Sequence, residues 1–120
     1  MRPNWIPSNH DRVQLLADVR AILQSHRGKR NAIQGKELAR ALHMPDDRSV
    51  RIVIRDLIHD GLPVASSTVE PAGYYLVANG EEAAEYLAVL DSRAREDEAR
   101  KRDFEKACKD LAVPIQGGMF

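Results

Sequence analysis

The sequence predicts a mainly α chain with one small β-hairpin (α+β), in which three helices precede the hairpin and a long helix follows it. Three observations carry this reading. Apolar residues recur at spacings of three and four over residues 9–26 and again over 48–60. Two short apolar runs, Leu62-Pro63-Val64-Ala65 and Tyr74-Tyr75-Leu76-Val77, flank a polar turn that contains proline and glycine. From Asn79 to about Ala112 helix formers dominate, and the middle of that stretch is almost wholly charged.

The first helix begins after Ser8 or Asn9, either of which can cap free N–H groups. Val13, Leu16, Val19, Ile22 and Leu23 make its apolar face, and Ser25-His26-Arg27-Gly28 ends it, with Gly28 able to take positive φ. Lys29-Arg30-Asn31-Ala32-Ile33 follows as a connector with room for one extended pairing. Lys36 to Leu42 is a two-turn helix in which the small Ala39 permits close packing. His43-Met44-Pro45 breaks it, because the residue before proline is pushed out of the α region. Asp46 or Asp47 caps the next helix, about Arg48 to Asp60. Val50, Val53, Ile54, Leu57 and Ile58 form its buried stripe. Its other side carries Arg48, Ser49, Arg51, Ile52, Arg55, Asp56 and His59, and Gly61 closes it.

In the hairpin, Ser66 to Ala72 is the tip, and alternation places one of Tyr74 and Tyr75 inward. Asn79 then caps a helix whose first turn holds Glu81 and Glu82, and which extends to about residue 113. At 1.5 Å per residue, some 30 residues reach about 45 Å. Leu87, Leu90, Ala94, Phe104, Cys108 and Leu111 follow a three-four alternation, with Asp97 and Lys101 on the same stripe. Residues 1–8 read as an arm and 114–120 as a flexible tail.

A chain of 120 residues with 43% hydrophobic and 30% charged residues fits one soluble domain. No apolar run is long enough to span a membrane. Residues 1–7 have one positive charge and no apolar core behind it, unlike a signal peptide. The single cysteine, Cys108, has no internal disulfide partner, which points to a reducing, cytoplasmic setting. Net charge is zero, yet residues 1–60 hold 11 Lys+Arg against 7 Asp+Glu, and residues 61–120 hold 7 against 11. The basic half suggests an anionic partner.

Gly35 to Leu42, Asp47 to Leu57, Gly61-Leu62-Pro63-Val64 and Gly73-Tyr74-Tyr75-Leu76, in that order, resemble the winged helix-turn-helix DNA-binding family. The likeness is to the biotin-operon-repressor type of DNA-binding domain and to small winged-helix proteins of phages and prophages, and it covers residues 9–78. The long charged helix at 79–113 departs from that pattern, and no ligase or other effector domain follows it. The resemblance implies sequence-specific double-stranded DNA binding, by a transcriptional regulator or a phage or prophage DNA-transaction accessory. It makes Asp47–Asp60 the recognition helix, with Arg48, Ser49, Arg51, Ile52 and Arg55 toward bases. Lys36 and Arg40, with Lys29 and Arg30, are placed at phosphates. Ser66, Ser67 and Thr68 form a wing tip that lacks Lys or Arg and carries Glu70. The same arginines also read as a solvated face, with Arg51 paired to Asp47. A protein-interaction adaptor is the alternative function.

Catalytic chemistry is not legible. His10, His26, His43 and His59 are scattered, no metal-ligand spacing occurs, and no phosphate-binding loop or nucleophile elbow is present. His59-Asp60 are adjacent and point apart on a helix, and Glu81-Glu82 are helix-start charge. Cys108 reads as a small core or interface residue. The expectation is a non-enzyme with no cofactor, metal, membrane or small-molecule ligand. A homodimer through the C-terminal helix, or a fold-back after a break near Arg95–Glu98, is expected to cover the far apolar patch.

Overall fold

Local capping signals decide where each helix starts and stops. The structure, a computed structural model, describes residues 9–111, so the expected arm and tail lie outside the described residues. In order it contains α1 (Asn9–Leu23), a 3-10 helix (Lys29–Asn31), α2 (Gly35–Ala41), α3 (Asp47–His59), β1 (Val64–Ser67), β2 (Gly73–Leu76) and α4 (Gly80–Ala107). This is a mainly helical fold with a two-stranded antiparallel hairpin followed by a long helix. Contacts divide the chain after Ala84, so the first turn of α4 belongs with the elements before it and Glu85 opens a second unit.

α1 stops three residues before the expected His26. Ser25 N–H donates to Ile22 O at 3.0 Å and His26 N–H to Leu23 O at 2.9 Å, which tightens the last turn. The chain then turns aside to pair with β2: Leu76 N–H donates to His26 O and Gly28 N–H to Leu76 O. Gly28 does have positive φ, 91°, but at the start of the 3-10 helix and not as the cap of α1. The expected extended pairing is found at Ile33, which exchanges two 2.8 Å backbone bonds with Tyr74. That crossing dictates glycine at 73, since a Cβ there would fall 2.1 Å from Ile33 O at a φ of 135°.

α2 and α3 are joined by a turn that ends α2 in a Schellman arrangement. Met44 N–H donates to Ala39 O and His43 N–H to Arg40 O, which leaves His43 at a φ of 56°. The same motif closes α3, through Leu62 N–H to Leu57 O and Gly61 N–H to Ile58 O. β1 and β2 pair from Val64 opposite Leu76 to Ser67 opposite Gly73, so Ser66 and Ser67 are strand residues and the tip shortens to Thr68–Ala72.

The core gathers Val19 and Leu23 from α1, Leu38 and Ala39 from α2, Val50, Val53, Ile54 and Leu57 from α3, and Val64 and Leu76 from the hairpin. Each fully buried side chain of this size contributes roughly 1.5–3 kcal/mol. Tyr75 is buried, and Tyr74 packs partly against the same cluster. Two expected core positions are not core. Val13 is 67% exposed, because the inward arc of α1 runs through Leu15, Leu16, Val19, Ile22 and Leu23. Ile58, at the end of α3, is 47% exposed, a quarter turn away from Val50, Val53, Ile54 and Leu57.

Asn79 Oδ1 accepts from Glu82 N–H at 2.9 Å and starts α4, as its sequence predicts. The helix ends at Ala107, short of residue 113. There Lys109 N–H turns to Lys106 O and Leu111 N–H to Cys108 O, and Asp110 sits unfavourably at a negative helix end. No break occurs near Arg95–Glu98. No helix of the described residues is long and apolar enough to cross a membrane.

Candidate functional site

α3 is fixed from its first turn. Asp46 has an extended backbone, and its Oδ1 accepts from the Ser49 hydroxyl at 2.7 Å and from Ser49 N–H at 2.9 Å. Those two bonds hold the Asp46 carboxyl below its ordinary range, and the nearby charges of Arg48 and Arg51 act in the same direction. Ser49 is therefore a correction to the expected open face. It is 1% exposed and its hydroxyl is committed to the cap.

The rest of that face is as the spacing requires. Arg48, Arg51, Ile52 and Arg55 line one shallow surface depression, with the three arginines exposed and Ile52 half-buried between them. Positions three, four and seven apart fall on one arc of a helix, so no tertiary contact is needed to assemble it. The acids of α3 are drawn elsewhere. Asp56 accepts from Arg12 of α1 in a half-buried ion pair. Asp47 Oδ1 lies beside Gly35, 3.4 Å from where a Cβ of that residue would stand. Among the described residues, none of the three guanidinium groups forms an ion pair, including the Arg51–Asp47 pair that the sequence allows. The result is a concentrated positive arc around one apolar side chain. Arg12 is the residue that sequence reasoning missed, since its partner is 44 positions away.

The other expected contacts are placed less favourably. Lys36 and Arg40 are exposed on α2, a turn apart, and neither lines the arginine depression. Lys29 and Arg30 line a different recess, which also holds Glu70 and Glu82, so cations and carboxylates are matched there. Glu82 accepts from Lys29 N–H and from Ala78 N–H, both at 2.9 Å, and these bonds lower its pKa from the ordinary value. At the hairpin, Ser67 Oγ donates to Val69 O and accepts from Val69 N–H. Ser66 is half-buried in β1, opposite Tyr74. Thr68 alone of the three hydroxyl residues is exposed at the tip, beside Val69 and Glu70. Among the described residues, no group of three or more His, Cys, Asp or Glu is placed to hold a metal ion.

No family model matches this chain, and no curated protein or solved structure does either.

Proposed function

We propose that this chain is a small winged-helix protein that binds double-stranded DNA in a sequence-specific manner, with α3 as its recognition helix. The observation that carries the reading is the arc of Arg48, Arg51 and Arg55 around Ile52, in which no arginine forms an ion pair among the described residues. A major groove admits a helix, and arginine can pair bidentately with guanine O6 and N7, while an apolar side chain suits a thymine methyl. Lys36 and Arg40 on α2 are assigned to phosphates, which set register without reading sequence. Of the hairpin residues only Thr68 is assigned a contact, because Ser67 is spent on its own turn. The order helix, turn, helix, hairpin is consistent with a winged-helix-like fold. On this reading the protein acts in the cytoplasm, as a transcriptional regulator or as a phage or prophage DNA-transaction accessory, and has no catalytic role.

A second reading, a protein-docking adaptor, is favoured by the tip, where Val69 and Glu70 are exposed without a basic residue. A salt series with mixed-sequence duplex DNA separates the two. DNA binding gives an affinity that falls with salt at a log–log slope of roughly −2 or steeper, from about 0.9 for each of the phosphates assigned to Lys36 and Arg40. No detectable binding at low salt would leave the adaptor.

A further inference from the structure

The charged length of α4 contains a regular seam. Leu90, Ala94, Asp97, Lys101, Phe104 and Cys108 follow at spacings of four, three, four, three and four, the alternation that keeps side chains on one stripe of paired helices. No residue of α4 is buried, and Phe104 is 65% exposed. Cys108, one position past the helix, is the buried member of the row.

We propose that this stripe docks a second copy of the chain in antiparallel orientation, with the two-fold axis at the level of Ala99. The spacing is palindromic, so the stripe read backwards fits itself. Ala94 faces Phe104 of the second copy and Asp97 faces Lys101, all four exposed, and the two-fold axis repeats each layer. The outermost position opposite Leu90 falls at Cys108, which its own chain already buries. Large residues meet small ones, and the one acid of the stripe meets its one base. A parallel pair in register would stack Asp97 on Asp97 and Lys101 on Lys101 in neighbouring layers.

The edges of the stripe favour the parallel arrangement, which brings Arg93 to Glu98 and Arg100 to Glu105 of the other copy. Those are rim pairs in water and are worth little each. Like charges stacked within the seam lose hydration with no compensating partner, so the seam decides the orientation. Asp97 contacts Arg100 of its own helix at 3.5 Å, an exposed pair that yields readily to a seam partner. The Asp97–Lys101 layers also fix register, because a slip of seven residues sets Asp97 against Ala94 or Cys108 and Lys101 against Leu90 or Phe104.

This inference is independent of DNA binding, and its test uses the full chain under mild oxidation. Residues 94 and 104 are both exposed and lie about 15 Å apart along α4, so they cross-link only between copies. Ala94→Cys/Phe104→Cys in a Cys108→Ser background is expected to give a disulfide-linked dimer on non-reducing electrophoresis. The unaltered chain and Ala94→Cys/Cys108→Ser are expected to stay uncross-linked. Equal cross-linking of either control overturns the antiparallel orientation. Equilibrium sedimentation supplies the second arm: Asp97→Lys weakens self-association at least about tenfold, and Asp97→Lys/Lys101→Asp restores it. A chain that sediments as monomer throughout at hundreds of micromolar overturns the proposal.

Discussion

α3 and α4 are both rich in arginine, yet they do opposite things with it. The 13 residues of α3 bury Ser49, Val50, Val53, Ile54 and Leu57, while the 28 residues of α4 bury none. α3 sends its acids away, Asp56 to Arg12 and Asp47 toward Gly35, so that three arginines stand together with no ion pair among the described residues. α4 interleaves its charges, as in the contact of Asp97 with Arg100. Charge density alone is therefore not a site. Segregated charge on a helix whose opposite face is anchored in a core can present one fixed surface to a partner.

The contrast in anchoring is broken most strongly by truncation. Leu57→Ala, in the α3 core, should cost about 2–5 kcal/mol in urea unfolding. Leu87→Ala, at a position 60% exposed on α4, should change stability by less than about 0.5 kcal/mol. If both lost several kcal/mol, α4 would be anchored as α3 is.

The contrast in charge is broken next. Arg51→Ala/Arg55→Ala should weaken binding to a selected duplex at least about tenfold and relax its base preference. Lys36→Ala/Arg40→Ala should instead make the salt slope shallower by roughly two, with stability held within about 0.5 kcal/mol in both. Arg93→Ala/Arg95→Ala on α4 should leave both affinity and slope unchanged. Equal losses from the arginine pairs of α3 and α4 would show attraction without a reading face.

The first turn of α4, which belongs to the first unit, is held by a carboxylate, and that hold responds to pH. Glu82 has a lowered pKa in the folded chain because Lys29 N–H and Ala78 N–H bond its ionised form. Its contribution is full above the ordinary carboxylate value of 4.5 and is lost as pH falls below that value and through the lowered one. Glu82→Gln should therefore be less stable than the parent at pH 7, and thermal melts should bring the two together as pH falls below 4.5 and through the lowered value. A gap that stays constant with pH would mean that the ionised form has no special part.

The smallest effect is expected in the turn before α3. His43 holds a φ of 56°, a conformation costing an ordinary L-residue about 1–2 kcal/mol. Glycine pays more entropy on folding, so His43→Gly should gain less than about 1 kcal/mol in chemical denaturation. A loss would show that the His43 side chain contributes more than its backbone strain removes.

What the sequence made legible was what local chemistry decides. Asp46 or Asp47 and Gly61 bracket α3, Asn79 starts α4, and the spacing of Arg48, Arg51, Ile52 and Arg55 places them on one arc before any tertiary contact exists. What it left hidden depends on partners distant in sequence. The pull of Arg12 on Asp56 spans 44 positions and the hold of Glu82 on Lys29 spans 53. Periodicity treats a polar residue as outward and so places Ser49 on the open face, whereas a first-turn hydroxyl can be buried when a cap accepts its proton. Hydroxyl residues are common in turns, which places Ser66 and Ser67 at the tip, yet both pair in β1.

The central claim is that α3 is the surface that meets DNA. Amide chemical-shift mapping during titration with a selected duplex tests it most directly. The shifts should cluster at Arg48, Arg51, Ile52 and Arg55, with smaller changes near Lys36, Arg40 and Thr68 and none at Arg93–Arg102. Shifts confined to the Thr68–Ala72 tip or to α4, or no shifts at saturating duplex in low salt, would contradict it.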